Sequence, residues 1–128
     1  MGKNGELMFN NEVEQLLKKE LLSTHDTFLK FFTSLDKESK RIIYSQEISS
    51  GFEAMMCDSV LVLSILELFK HNLCVSETSR DAFIHRNTLV YRLDKIKKLT
   101  GLDIKKFEDA YRCKTLMDIY FEGNKLGF

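Results

Sequence analysis

The sequence predicts an all-α protein, a helical bundle, and three observations carry that expectation. Its 128 residues include no proline and no low-complexity tract, so nothing forces a helix to kink or stop. Apolar residues recur three and four positions apart in one segment after another, which is the spacing of a helix face. No stretch alternates apolar and polar residues as a half-buried strand would, and the glycines lie outside the periodic segments.

Length and composition set bounds. The chain reads as one modest domain, or a small domain with a helical extension, and should bury roughly two-thirds of its unfolded surface. It needs no disulfide or metal staple. Cys57, Cys74 and Cys113 are an odd number without paired spacing. With no signal peptide, they read as reduced thiols filling core positions of a cytoplasmic protein. The longest apolar run, Val60 to Leu66, is broken by Ser64 and ended by Glu67, too short to span a bilayer.

The elements follow in order. Residues 10–22 place Val13, Leu16, Leu17 and Leu21 on one face, with Asn10 or Asn11 as cap and Glu12 and Glu14 at the positive end of the dipole. Thr24 or Asp26 caps a second helix carrying Phe28, Leu29, Phe31, Phe32 and Leu35. Asp36 starts a third, running to about Ile48 with Ile42, Ile43 and Ile48 inward. Ser49-Ser50-Gly51 reads as its stop, and Phe52 to Met56 as a short apolar link. Asp58 or Ser59 then caps a helix that is apolar nearly all round, from Val60 to Phe69. Such a helix must be covered on every side. It is either a central core helix, or it (or the Phe-rich helix before it) reaches a subunit interface.

Residues 75–93, VSETSRDAFIHRNTLVYRL, read as a short helix, a tight turn and a second helix whose first turn is polar and basic. Val75, Ser79, Ala82 and Phe83 have helical spacing, with Ser76 as cap or Cys74 just outside. Ile84 falls in the turn, where it can plug the gap between the helices. His85 stands where an N-cap belongs, ahead of the inward series Leu89, Leu93 and Ile96. Gly101 is the natural stop. Helices joined by so short a link cross steeply, the geometry of a helix-turn-helix. A last helix, from about Lys106 to Phe121, carries Phe107, Ala110, Tyr111, Met117, Tyr120 and Phe121 toward the core, and residues 123–128 should fray.

Overall charge balances, but its distribution does not. From Ile84 to Lys106 seven cations stand against two anions, while residues 1–60 carry seven cations against ten anions. Taken alone, such a run is as readily a solvated helix face as a footprint for phosphates. Its overlap with the helix-turn-helix favours the second.

IHRNTLVYRLDKIKKLTGLD, preceded by VSETSRDAF, resembles the C-terminal DNA-binding domain of the bacterial sugar-diacid and purine-catabolism regulators, the PucR/CdaR type, which carries a Fis-like helix-turn-helix. The resemblance is strong from about Phe69 to Met117 and weaker back to about Phe28. Cys74, Ser79 and Ala82 depart from the family's usual Asn, Ala and Leu, departures that bear on packing and capping. Phe83 stands where many such turns use glycine to reach positive φ. The family tolerates an aromatic or aliphatic residue there, so the turn is expected to take another conformation. The resemblance implies a transcription regulator, or its output domain, acting on duplex DNA.

In that motif the second helix enters the major groove with its N-terminal residues at the base edges. With Leu89 inward and about 100° per residue, Arg86, Asn87, Val90 and Tyr91 occupy the leading outward edge. Arg forks onto guanine, Asn onto adenine, and an apolar surface meets a thymine methyl. Ser76, Thr78, His85, Thr88 and Arg92 are expected to serve phosphates and register, and Lys95, Lys97 and Lys98 to add salt-sensitive attraction. Asp94 opposes DNA unless paired with Lys98.

The division expected is residues 1–58 as a helical segment for dimerisation or linkage, 59–122 as the DNA-binding domain, and 123–128 as tail. A single helix-turn-helix makes a small interface, so a homodimer is expected. The family's sensory region has no room here: the chain is a fragment, a partner senses, or the N-terminal helices do. No zinc spacing, phosphate loop, nucleophile elbow or carboxylate pair appears, so no cofactor, metal or catalytic residue is expected. The rival reading is a helical interaction module with a degenerate helix-turn-helix, and titration against random duplex separates the two.

Overall fold

The structure, a computed structural model, describes residues 27–128. The first expected helix, residues 10–22, lies outside the described residues. What is described is all-α: helices α1 (Thr27–Ser34), α2 (Lys37–Glu47), α3 (Ser50–Met56), α4 (Ser59–Lys70), α5 (Val75–Asp81), α6 (Arg86–Thr100) and α7 (Phe107–Lys125).

The uniformly apolar α4 is the centre. Asp58 caps it, its carboxylate accepting the Val60 and Leu61 N–H groups at 3.1 and 3.3 Å. Leu61, Val62, Ile65, Leu66 and Leu68 are buried, each worth about 1.5–3 kcal/mol relative to exposure. Helices α3, α5 and α6 pack around it. Val60 alone of its apolar residues is exposed, and Leu63 is half-buried. No single helix among the described residues is long and apolar enough to cross a membrane.

Helix α3 departs from the expectation of a link. Ser49, read as a stop, accepts the Phe52 N–H at 3.0 Å and so caps a new helix that buries Phe52, Met55 and Met56. Gly51, inside it, lets α3 close on α6: a Cβ there would lie 1.9 Å from the Leu99 carbonyl oxygen.

Helix α2 starts at its Asp36 cap and packs Ile43 and Ile48 against the core, as expected, but its most buried residues are others and Ile42 points out. Lys40 and Tyr44 are buried, while Ile42 is exposed and Ile43 and Ile48 only half-buried. The polar pair goes in because it has partners there. The Lys40 ammonium meets the Glu122 carboxylate at 2.5 Å, and the Tyr44 hydroxyl donates to Glu53 at 3.1 Å. Burial and the Glu53 carboxylate push the Tyr44 phenol far above its ordinary value.

The end of the chain is tied down, against the expectation of a frayed tail. Helix α7 continues to Lys125, and the Phe128 N–H donates to the Gly123 carbonyl at 2.9 Å. The Phe128 ring meets Tyr44 edge-on at 5.7 Å and lies 4.9 Å beneath the Arg41 guanidinium. At the other end of α7, Phe107 and Tyr111 are exposed and stack on each other at 6.2 Å. They sit roughly 120° round the helix from Cys113 and Met117, which fill the core beside Ala110 and Tyr120. One hydrophobic cluster takes in Phe32, Tyr44 and Phe52 together with Leu89, Leu93 and Ile96, so residues on both sides of position 58 share a core.

Candidate nucleic-acid interface

The chain bends by 115° between α4 and α5. Asn72 and Leu73 make that corner with φ of 53° and 66°. His71 braces it from inside: Nδ1 contacts the Glu67 carbonyl at 2.8 Å and Nε2 the Asp81 carboxylate at 2.9 Å. The bond to the Glu67 carbonyl, helped by Asp81, holds the His71 pKa above its ordinary value.

Helix α5 has Cys74 as its N-cap with no side-chain bond, so Ser76 is not the cap but sits in the first turn. Thr78 is 0% exposed, and its hydroxyl donates to the Cys74 carbonyl at 2.7 Å. It has no surface to offer a phosphate, which corrects the expectation for that residue. Ser79 is likewise buried, its hydroxyl donating to the Ser76 carbonyl at 3.1 Å. Small side chains with locally satisfied hydroxyls let α5 cross α6 closely.

The turn ends α5 with two bonds: the Phe83 N–H to the Arg80 carbonyl at 3.3 Å and the Ile84 N–H to the Ser79 carbonyl at 3.0 Å. This is a Schellman termination, which needs a left-handed residue between cap and exit. Phe83 supplies it with φ of 56°. The turn therefore keeps the glycine-like conformation, contrary to expectation, at a cost of about 1–2 kcal/mol for a residue bearing a Cβ. Ile84 packs against the core, as a plug should. The Phe83 ring does not; it is 93% exposed.

His85 caps α6, its Nδ1 accepting the Asn87 N–H at 3.1 Å. Leu89, Leu93 and Ile96 are buried, and Gly101 closes the helix with φ of 81°. Fixing that inner face leaves Arg86, Asn87, Val90 and Tyr91 together on the outer one, all exposed, Tyr91 to 68%. Arg86 also reaches back, its Nη1 donating to Ser76 Oγ at 3.4 Å, so the two helices share a polar edge.

The residues expected to serve phosphates are less uniform. Thr88, Lys97 and Lys98 are exposed. Lys98 pairs with Asp94 at 3.1 Å, which mutes the acidic group on the outer face. Lys95 faces Asp58 at 3.8 Å. Arg92 is half-buried and turned toward α4, donating to Ser64 Oγ at 3.3 Å. It lines a groove of about 610 Å³ with Val60, Leu63 and Ile84. On the opposite flank, Asn87, Val90, Tyr91 and Lys97 line a trough of about 400 Å³ with Asp103 and Lys105. Lys105 belongs to this surface, and the sequence signal for it is the cation run reaching Lys106. Among the described residues no three His, Cys, Asp or Glu side chains come together as a metal site would need.

Known proteins can be set beside this geometry. Residues 61–119 match the family model of the PucR C-terminal helix-turn-helix domain. The match runs from α4 through most of α7 and holds the whole crossing of α5 and α6. The chain is 56% identical over 41 residues to the carbohydrate diacid regulator of Escherichia coli (strain K12), a stretch covering 32% of this chain and 11% of the relative. It is 29% identical over 80 residues to the purine catabolism regulatory protein of Bacillus subtilis (strain 168), covering 62% of this chain and 15% of the relative. A third relative, the uncharacterized protein YsfB of Bacillus subtilis (strain 168), is 45% identical over 50 residues, covering 39% and 14%. The chain thus spans only a small part of the length of these relatives. No solved structure gives a significant match.

Proposed function

We propose that this chain is a regulator of transcription, or the output part of one, that binds duplex DNA by placing the start of α6 in the major groove. The observation that carries this reading is the outer edge of α6. A capped helix, locked by a buried face, presents Arg86, Asn87, Val90 and Tyr91 to solvent with no covering element among the described residues. Arg86 and Asn87 have the donor geometry for guanine and adenine edges, and Val90 the surface for a thymine methyl. Thr88, Lys97, Lys98 and Lys105 flank them and suit phosphates on either ridge of the groove. Ser76 and His85 serve this surface indirectly, one holding Arg86 and the other capping the helix. Similarity to the PucR helix-turn-helix domain and to two named regulators supports the same assignment. The working form is a homodimer in the cytoplasm reading two half-sites about one DNA turn apart.

Titration of the chain with random duplex at low and rising salt tests this. Expected is micromolar or tighter binding at low salt that weakens steeply as salt rises. Absence of binding at the lowest salt would refute it.

A further inference from the structure

We propose that Phe83 is a second, non-ionic DNA contact, its ring meeting sugar and base edges at the rim of the groove that α6 enters. This role rests on the proposed docking of α6 and deepens it. Among the described residues Phe83 is the most exposed large apolar side chain, at 93%, and its backbone sits at φ 56°. Glycine would take the same conformation without strain and without putting a ring in water. Both penalties stand uncompensated within the described residues. Phe83 does not pack against the core and has no ring partner there. Backbone strain kept in this way points to a role in binding.

Its position says what it would bind. The Schellman bonds to Arg80 and Ser79 pin the backbone on both sides, so the ring is presented from a fixed base. It stands two residues before the His85 cap and three before Arg86, at the entrance to the outer edge of α6. Its neighbours along the chain, Arg80, Asp81, His85 and Arg86, are exposed and polar. An exposed ring that lies between Arg80 and Arg86 in the chain suits duplex DNA, which offers deoxyribose faces and thymine methyl groups between phosphates, better than an apolar protein groove.

The test uses the full chain and two variants. Phe83→Gly keeps the backbone and removes the ring, so the thermal midpoint should stay level or rise. Its affinity for duplex should fall about fivefold or more, as the loss of buried ring surface would give. The slope of log affinity against log salt should not change, because no phosphate contact is lost. Phe83→Trp introduces a single tryptophan into a chain that otherwise has none. The emission of that variant should be quenched and shifted when duplex saturates the protein. Wild-type affinity in Phe83→Gly, or emission unchanged at saturation in Phe83→Trp, overturns the inference while leaving the function of α6 intact. Loss of self-association in Phe83→Gly with unchanged DNA affinity would overturn it too, reassigning the ring to a protein contact. If wild type binds no duplex, the reading of α6 is what fails, and the inference goes with it.

Discussion

Two regions of this molecule use the same residue types to opposite ends. Where α2 meets the end of α7, a lysine, an arginine and aromatic rings are all partnered: Lys40 on Glu122, Arg41 over Phe128, Tyr44 against Phe128 and Glu53. Along the outer edge of α6, the same chemistry is left in water: Arg86, Lys97 and Tyr91 exposed, with Phe83 beyond them. Closing the first region lowers free energy within the chain. Leaving the second open keeps its binding capacity for something outside. Residue type therefore says little about role until partners are known.

The two regions should break differently. Lys40→Ala should do the most damage, removing the partner of a Glu122 side chain that is only 11% exposed. Lys125, 3.9 Å from Glu122, softens the loss, so the expected cost is about 2–3 kcal/mol by urea unfolding. DNA affinity of the folded fraction should not change. Arg86→Ala and Asn87→Ala should do the reverse. Each is expected to cost about 1–3 kcal/mol of discrimination between sites, read by competition gel shift, with unfolding midpoints within experimental error of wild type. Equal discrimination in either variant would remove that residue from base reading. Lys97→Ala should be milder still, weakening all duplexes alike and reducing the magnitude of the salt slope by about 0.9.

The smallest effect concerns the corner that aims α5. A histidine with a raised pKa adds stability that is full below its ordinary value of 6.5 and lost as pH rises through the raised one. Asp81, held low by Arg80 and His71, stays charged across that window. Stability should therefore decline slightly from about pH 6.5 upward, and His71→Gln should remove that decline in a pH series of thermal melts.

Much of the interface is legible in sequence because its determinants are local. Helix α6 has its cap, inner stripe and stop glycine within the short stretch from His85 to Gly101. What is illegible depends on distant partners. Lys40 turns inward because Glu122 waits 82 residues away, which no helical period reveals. Ser49-Ser50-Gly51 carries signals for ending a helix and for starting one, and only the Leu99 carbonyl beside Gly51 shows why α3 packs there. Thr78 looks like a surface hydroxyl until the fold buries it with its hydroxyl turned back on the Cys74 carbonyl. Phe83 lies between these cases: its sequence marks a turn, but the left-handed backbone follows from how α5 terminates.

The docking of α6 on DNA can be read residue by residue from amide shifts in two-dimensional NMR during a duplex titration. The largest changes are expected at Arg86, Asn87, Val90 and Tyr91, smaller ones at Lys97 and Lys105, and none at Tyr44 or Phe128. Changes centred on α2 and the end of α7, with the α6 amides still, would contradict it.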